Sequence, residues 1–181
     1  NLDRAIECDI LILAIPQPQA VSLLERDFSS IVQGLKSCSM RASAAALFGF
    51  QTTLETNFEI IENHKITATR EKYGTRDNNL LDCWTVHTKK KYGTRFSRLQ
   101  KAEIATILFA DFQRVISKKI ETPVYKSGHR WLYGFTERPL GVSSILDGDN
   151  KIGLCGDWCL GEGVLDAASS GVSLANRVIK I

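Results

Sequence analysis

"GLCGDWCLGEGVLDAASSGVSLANRVIKI", residues 153–181, is the stretch on which the reading of this chain turns. An apolar run ends at Gly156-Asp157, a glycine-rich segment follows, and an amphipathic helix is predicted from about Val164 to the terminus. Gly156 removes a side chain where the backbone turns, as is needed wherever a chain passes close to something else. Asp157, at the carboxyl end of a predicted strand, is placed to accept hydrogen bonds from hydroxyls, as acidic residues do with ribose-type polyols. Gly161 and Gly163 bracket Glu162 and leave backbone N–H groups unobstructed. The helix beyond them aims its positive end at whatever fills the loop. Ala167, Ala168, Gly171 and Ala175 form a small-residue stripe that permits close approach to a sheet or a flat ring. A routine strand-turn-helix unit with an aspartate cap would show the same residues, so this segment alone does not separate a cofactor site from scaffold.

The other end of the chain supplies a second piece of the same pattern. "CDILILAI" (8–15) is short, continuously apolar and stopped by Pro16, which is how a fully buried strand of a parallel sheet reads. "PQPQAVSLLERD" (16–27) follows as a helix, with Pro18 in its first turn and Ala20, Leu23 and Leu24 on one face. A second short helix is predicted over 28–36.

The middle has a different rhythm. "MRASAAALFGF" (40–50) reads as a strand in a crowded interior. "FEIIEN" (58–63) and "HKITATREKY" (64–73) alternate as a hairpin turning at Asn63-His64, and "LLDCWTVHT" (80–88) is a further strand. The clearest helix is predicted over 97–119, where Ile104, Ala105, Leu108, Phe112, Val115 and Ile116 make one stripe. "PVYKSGHRWLYGF" (123–135) returns to strand, and Asp147-Gly148-Asp149-Asn150 carries turn signals. The pentapeptide "KYGTR" occurs at 72–76 and 91–95 and is read as two short turns. The fold class is therefore α+β, with an antiparallel sheet and flanking helices over 39–145 and α/β pieces at 1–38 and 146–181.

Composition excludes several function classes. The chain has 181 residues, 44% hydrophobic and 24% charged, with a net charge of +3. That charge is too small and too evenly spread for nucleic acid, and Lys89-Lys90-Lys91 reads as a solvated edge. No apolar run reaches the roughly 18 residues of a membrane helix, and no signal peptide is visible. Five cysteines (8, 38, 83, 155, 159) follow no disulfide or zinc spacing, so buried free thiols in a cytoplasmic protein without a metal are expected. The chain opens on Asn1 and runs almost at once into strand, which gives the expectation of a piece of a longer polypeptide.

With these segments in place, "GLCGDWCLGEGVLDAASSG" resembles the C-terminal flavin-binding segment of the FAD-dependent amine oxidase superfamily, and most of all its bacterial renalase-like group. "CDILILAIPQPQAVSLL", "DCWTVHT" and "HRWLYG" agree with that group in order and approximate spacing, so the resemblance spans nearly the whole chain. It implies that the terminal pieces belong to a Rossmann-like FAD/NAD(P)-binding domain and that the middle is a substrate-binding domain. It implies a cofactor-binding set of Gly156, Asp157, Trp158, Gly163, Val164 and Leu165, with Pro16 at a sheet end nearby. In it Asp157 would hydrogen-bond the ribityl or pyrophosphate region of FAD. Amides near Gly163, Val164 and Leu165 would meet the pyrimidine carbonyl, where the helix dipole favours the charge of a reduced flavin.

The family's N-terminal GxGxxG is absent from this sequence. Leu132 follows His129-Arg130-Trp131 where the family usually has a basic residue, and "GVLD" stands where it has "EGAF". The resemblance thus implies a parent oxidoreductase that passes hydride from an amine, or from NAD(P)H as substrate, to FAD. The chain alone is expected to hold FAD weakly or not at all; stoichiometrically yellow purified protein would contradict that expectation.

His129, Trp131 and Tyr133 alternate and so share one strand face. They are read either as a substrate-cavity wall or as a sheet face packed on the long helix. His87 shares a face with Cys83 and Thr85, and His64 reads as a turn residue. No Ser-His-Asp order with a nucleophile elbow occurs, so no catalytic residue is assigned. A small-molecule substrate is the expected partner. The competing hypothesis is a non-catalytic module derived from a flavoprotein, self-associating through exposed sheet edges.

Overall fold

The computed structural model describes residues 5–71, 81–116 and 120–180. The chain forms two compact units, one built from Asn1–Met40 together with Phe135–Ile181 and the other from Arg41–Gly134. The expected boundaries at 38/39 and 145/146 become 40/41 and 134/135, and both crossings fall inside long strands.

In the first unit, β1 (Leu11–Leu13) is followed by α1 (Gln17–Leu24) and α2 (Ser29–Leu35). Pro16 caps α1 with an extended backbone (φ −52°, ψ 140°), and its carbonyl accepts from the amides of Gln19 (2.9 Å) and Ala20 (3.1 Å). Pro18 in the first turn leaves no hydrogen bond unmade there. Buried Gln17 donates from Nε2 to the carbonyl of Leu35 (3.1 Å), tying the start of α1 to the end of α2.

The second unit begins inside β2 (Ser39–Phe50) and continues with β3 (Ile60–Glu62), β4 (Ile66–Glu71), β5 (Asp82–Thr88), α3 (Lys90–Gly93), a 3-10 turn at Thr94–Phe96, α4 (Lys101–Ile116) and β6 (Tyr125–Arg138). The sheet order is β3-β4-β5-β2-β6, and the β3–β4, β4–β5 and β2–β5 pairings are antiparallel. The predicted hairpin is present, with Glu62 opposite Thr67 and the Asn63 side chain accepting from the amides of Lys65 (2.8 Å) and Ile66 (2.9 Å). Residues 72 and 73, the first "KYGTR" copy and Leu80 lie outside the described residues. The second copy forms α3 and the 3-10 turn that follows it.

The core of this unit is the apolar stripe of α4 laid on one face of the sheet. Ile104, Leu108 and Phe112 are fully buried with Phe48, Phe50, Trp84, Val86, Ile66 and Ala68. The helix starts at Lys101 rather than at Ser97, because Glu103 turns back to accept the Gln100 amide (2.7 Å) as half of a capping box. Residues 117–119 lie outside the described residues. Gly128 marks where β6 touches α4. A Cβ there would run into the carbonyl oxygen of Lys101 and come within 2.8 Å of the Ala105 amide.

The first unit closes with β7 (Ile145–Asp147), β8 (Ile152–Leu154), α5 (Asp157–Leu160) and α6 (Val164–Val178). The sheet order is β1-β8-β7, with β1 parallel to β8 and β7 antiparallel to it. One expectation needs correction. β1 was read as fully buried, yet only Leu13 of the strand is, and Leu11 and Ile12 are 43% and 48% exposed. β1 is the outer strand of the three, with no strand beyond it among the described residues, and this leaves Leu11 and Ile12 open while Leu13 packs inward. Cys8, expected to be buried, precedes the strand and is exposed.

Candidate functional site

The glycine turn is built in layers. β8 is buried along its whole length, and Gly153 lets the Leu174 side chain of α6 lie against it, 3.0 Å from where a Cβ would stand. Gly156 then passes beneath the Trp158 indole, whose Cδ1 lies 2.7 Å from the position of an added Cβ. The close approach predicted for Gly156 is therefore made by this chain's own ring.

Trp158 is correspondingly a core residue. It is 1% exposed, and its Nε1 donates to the carbonyl of Ile15 (3.0 Å). An indole with its one donor satisfied inside a packed core has no free surface, so within the predicted cofactor set Trp158 has only its backbone to offer.

Asp157 follows the end of β8 and is the first residue of α5. Its Oδ2 accepts from the Thr136 hydroxyl (3.3 Å), and its backbone carbonyl accepts from the Gly161 amide (2.8 Å). Its second oxygen, Oδ1, has no partner among the described residues. The turn is held from behind by Ser170 of α6, fully buried, whose Oγ accepts the Gly156 amide (3.1 Å).

The loop that follows is organised by Asp166, whose Oδ2 accepts from the amides of Glu162 (3.1 Å) and Gly163 (3.0 Å). A Cβ on Gly161 would collide with that carboxylate, with the Asp166 Cγ only 2.8 Å away. Capping by Asp166 uses amides ahead of the helix. The first-turn amides, Val164 and Leu165, have no acceptor within the helix itself. Their side chains are 86% and 83% exposed, so this end of α6 is open. Ala168, Val172, Ala175 and Ile179 continue the exposed face, whereas Ser170 and Leu174 face the core. Half of the small-residue stripe, Ala168 and Ala175, is thus exposed within this unit.

Three thiols surround the turn. Cys38, Cys155 and Cys159 are buried. Burial first, then the neighbouring Cys159 and Asp157, pushes the Cys38 thiol up to about 11 despite the opposing Arg138. Burial likewise raises the Cys155 and Cys159 thiols. Since the thiolate is the nucleophile, Ellman's reagent at pH 8 should label Cys8 quickly and Cys83 more slowly. Cys38, Cys155 and Cys159 should react only on unfolding, and fast labelling of all five in native buffer would contradict this packing. An acid raised in the folded state stabilises it fully below its unfolded value. The Cys38 contribution is therefore present below pH 9.0 and lost as pH climbs toward 11.

In the second unit the sheet has one covered and one open face. Gly128 turns toward α4, so by alternation Tyr125, His129 and Trp131 point to the opposite side. The Tyr125 Cβ lies 3.4 Å from the Cβ position of Gly49, which places Leu47 of β2 on that side, with Cys83, Thr85 and His87 of β5 beside it. The alternative in which His129 and Trp131 pack on the long helix is thereby overturned. Their rings pair with centroids 4.4 Å apart, and Trp131 is 54% exposed.

Tyr133 lies where β6 departs from regular alternation. A Cβ on Gly134 would sit 3.2 Å from that of Trp131, which an unbroken two-residue alternation does not permit. The strand kinks there, and the period that put Tyr133 on the same face is interrupted. Hollows of 280 Å³ and 400 Å³, lined respectively by Phe58, Ile61 and Val115 and by Ile31, Leu140 and Val142, include none of the predicted site residues.

No family model matches the chain. Among solved structures, it is similar over 96% of its length to a protein described as a protoporphyrinogen oxidase from Exiguobacterium sp. 255-15 (TM-score 0.68, 14% identity). It is similar over 98% to cyclohexylamine oxidase from Brevibacterium oxydans IH-35A (0.62, 13%), and over 96% to a redesigned double mutant of putrescine oxidase (0.60, 14%). The chain has the fold of part of these oxidases. It spans less than half of each, covering 42%, 45% and 43% of their lengths.

Thr136, Ser170, Leu47 and Tyr125 were not singled out from the sequence. Ser170 left a trace, a hydroxyl one turn from Leu174 on the apolar side of a helix. Thr136 left none, because its role depends on a residue 21 positions away.

Proposed function

We propose that this chain supplies one side of an FAD site and the substrate-facing sheet of an amine oxidase-type flavin oxidoreductase. The observation that carries the reading is the pairing of an Asp157 carboxylate oxygen that has no partner among the described residues with an open α6 N-terminus. The Asp157 carbonyl is tied to the loop between them by the Gly161 amide at 2.8 Å. The residues fit that group on chemical grounds. A carboxylate accepts from hydroxyls, and first-turn amides accept anionic or carbonyl oxygens.

Asp157 would hold the polyol or pyrophosphate part, and the Val164 and Leu165 amides would meet the ring carbonyl, with Gly163 keeping the approach free of a side chain. Bound there, the flavin supplies hydride acceptance. The protein then needs only to orient a substrate and shed its water, so the lack of an assigned acid or base is compatible with the reading. In the second unit, Trp131, His129, Tyr125 and Leu47 are the residues proposed to face substrate. Two of the three named structures are amine oxidases, which favours an amine over NAD(P)H as that substrate. The renalase-like assignment within the superfamily rests on the sequence resemblance alone. The exposed edge of β1 and the outer face of α6 are where the Rossmann-like remainder of the flavin domain would join.

The test is a titration of FAD into the isotopically labelled chain, followed by amide NMR. Millimolar FAD should shift the Asp157, Val164 and Leu165 amides, and Asp157→Ala should weaken binding roughly tenfold or more, the scale of a hydrogen bond to a charged group. Unmoved amides, or an Asp157→Ala chain that binds like the parent, would remove the basis for the proposal.

A further inference from the structure

Asp157 can serve a ligand only if its carboxylate is held in one direction, and α5, with only four residues, does little to hold it. The neighbours of the turn divide the work of fixing it. Ser170 fixes the backbone through the Gly156 amide, and Trp158 packs over Gly156. The side chain that hydrogen-bonds the Asp157 carboxylate is Thr136, near the end of β6, 97% buried and therefore confined by its packing.

We infer that Thr136 is a positioning residue, whose buried hydroxyl occupies Asp157 Oδ2 and leaves Oδ1 directed at the ligand; this rests on the proposed FAD site. The 3.3 Å separation is longer than the usual O–H···O optimum of about 2.7–2.8 Å, so the bond orients the carboxylate without saturating it. Such bonds shorten when a ligand draws the acceptor into line. A β-branched donor suits the task, since threonine has restricted side-chain rotation and a buried methyl keeps its hydroxyl turned toward the turn.

The experiment uses the same NMR titration of the chain with FAD, on four variants. Thr136→Val keeps the shape and removes the donor, and should weaken FAD roughly ten- to hundredfold, the range for a hydrogen bond to a charged group. Thr136→Ser keeps the donor and should restore binding to within about twofold, given that only a methyl is lost. In an Asp157→Ala background, Thr136→Val should have no further effect, because its partner is already gone. A purely structural threonine would instead weaken binding by the same factor in both backgrounds, and that result overturns the inference. So does a Thr136→Val chain that binds FAD like the parent. If Thr136→Val fails to fold, the comparison passes to Thr136→Ala and Thr136→Ser, read in the same way. FAD that shifts no amide of the unsubstituted chain overturns the cofactor site itself, and the inference falls with it. A site that survives Thr136→Val unchanged overturns the inference alone.

Discussion

Trp158→Ala should cost the first unit about 3–5 kcal/mol, the range for removing a buried aromatic side chain. Two losses combine at this residue. The indole is 1% exposed in a cluster with Leu13, Ala20, Leu24, Leu35, Ile152 and Leu154, so its removal opens a cavity that a small three-stranded sheet is poorly able to close. Its Nε1 bond to the Ile15 carbonyl (3.0 Å) disappears, leaving that acceptor without this donor.

Chemical denaturation followed by far-ultraviolet circular dichroism measures the loss, and thermal melting should fall by roughly 2–4 °C per kcal/mol. Trp158→Phe should recover much of the packing but not the hydrogen bond, and so fall between the two. A loss below about 1 kcal/mol would mean that the ring is not part of the core. It would return Trp158 to the list of residues available to a cofactor.

Phe112→Ala should be equally damaging in the second unit, again about 3–5 kcal/mol. Phe112 lies at the centre of an aromatic cluster. Its ring centroid is 5.1 Å from Trp84, 5.9 Å from Phe48 in a near-parallel stack, and 6.4 Å from Phe50. Such pairs add about 0.5–1.5 kcal/mol beyond their buried area, and here one side chain links α4 to two strands at once. Amide hydrogen exchange should show the effect locally, with protection lost across β2 and β5 while β8 and α6 retain theirs. Uniform loss of protection through both units would show that they unfold as one body, and protection unchanged in β2 would sink the packing argument.

These two residues illustrate what was legible in the sequence. Phe112 was placed on the buried stripe of the long helix from its spacing alone, because helical periodicity records which side faces a core. The hairpin at Asn63 and the strand around Trp84 were equally readable, as their alternation records the pleat. The place of the Trp158 ring was not legible, because a tryptophan directly after a "GD" pair looks the same whether its ring meets a cofactor or folds back on Gly156. The ring's partner, the carbonyl of Ile15, is 143 positions away. The buried reading of β1 failed for a related reason. An apolar run states a preference for burial, but the strand's place at the edge of the sheet decides whether anything covers it.

Read alone, the amino acids established the α+β class, the order of elements and the strand-glycine-helix succession at the carboxyl end. All of these are local: they follow from periods of two and 3.6 residues and from the backbone demands of glycine and proline. Which groups stand beside Asp157, which face of the five-stranded sheet stays open, and where β6 loses its alternation emerged only on folding. Each of those depends on contacts between distant segments, and a side chain's chemical type does not specify the neighbour it will meet.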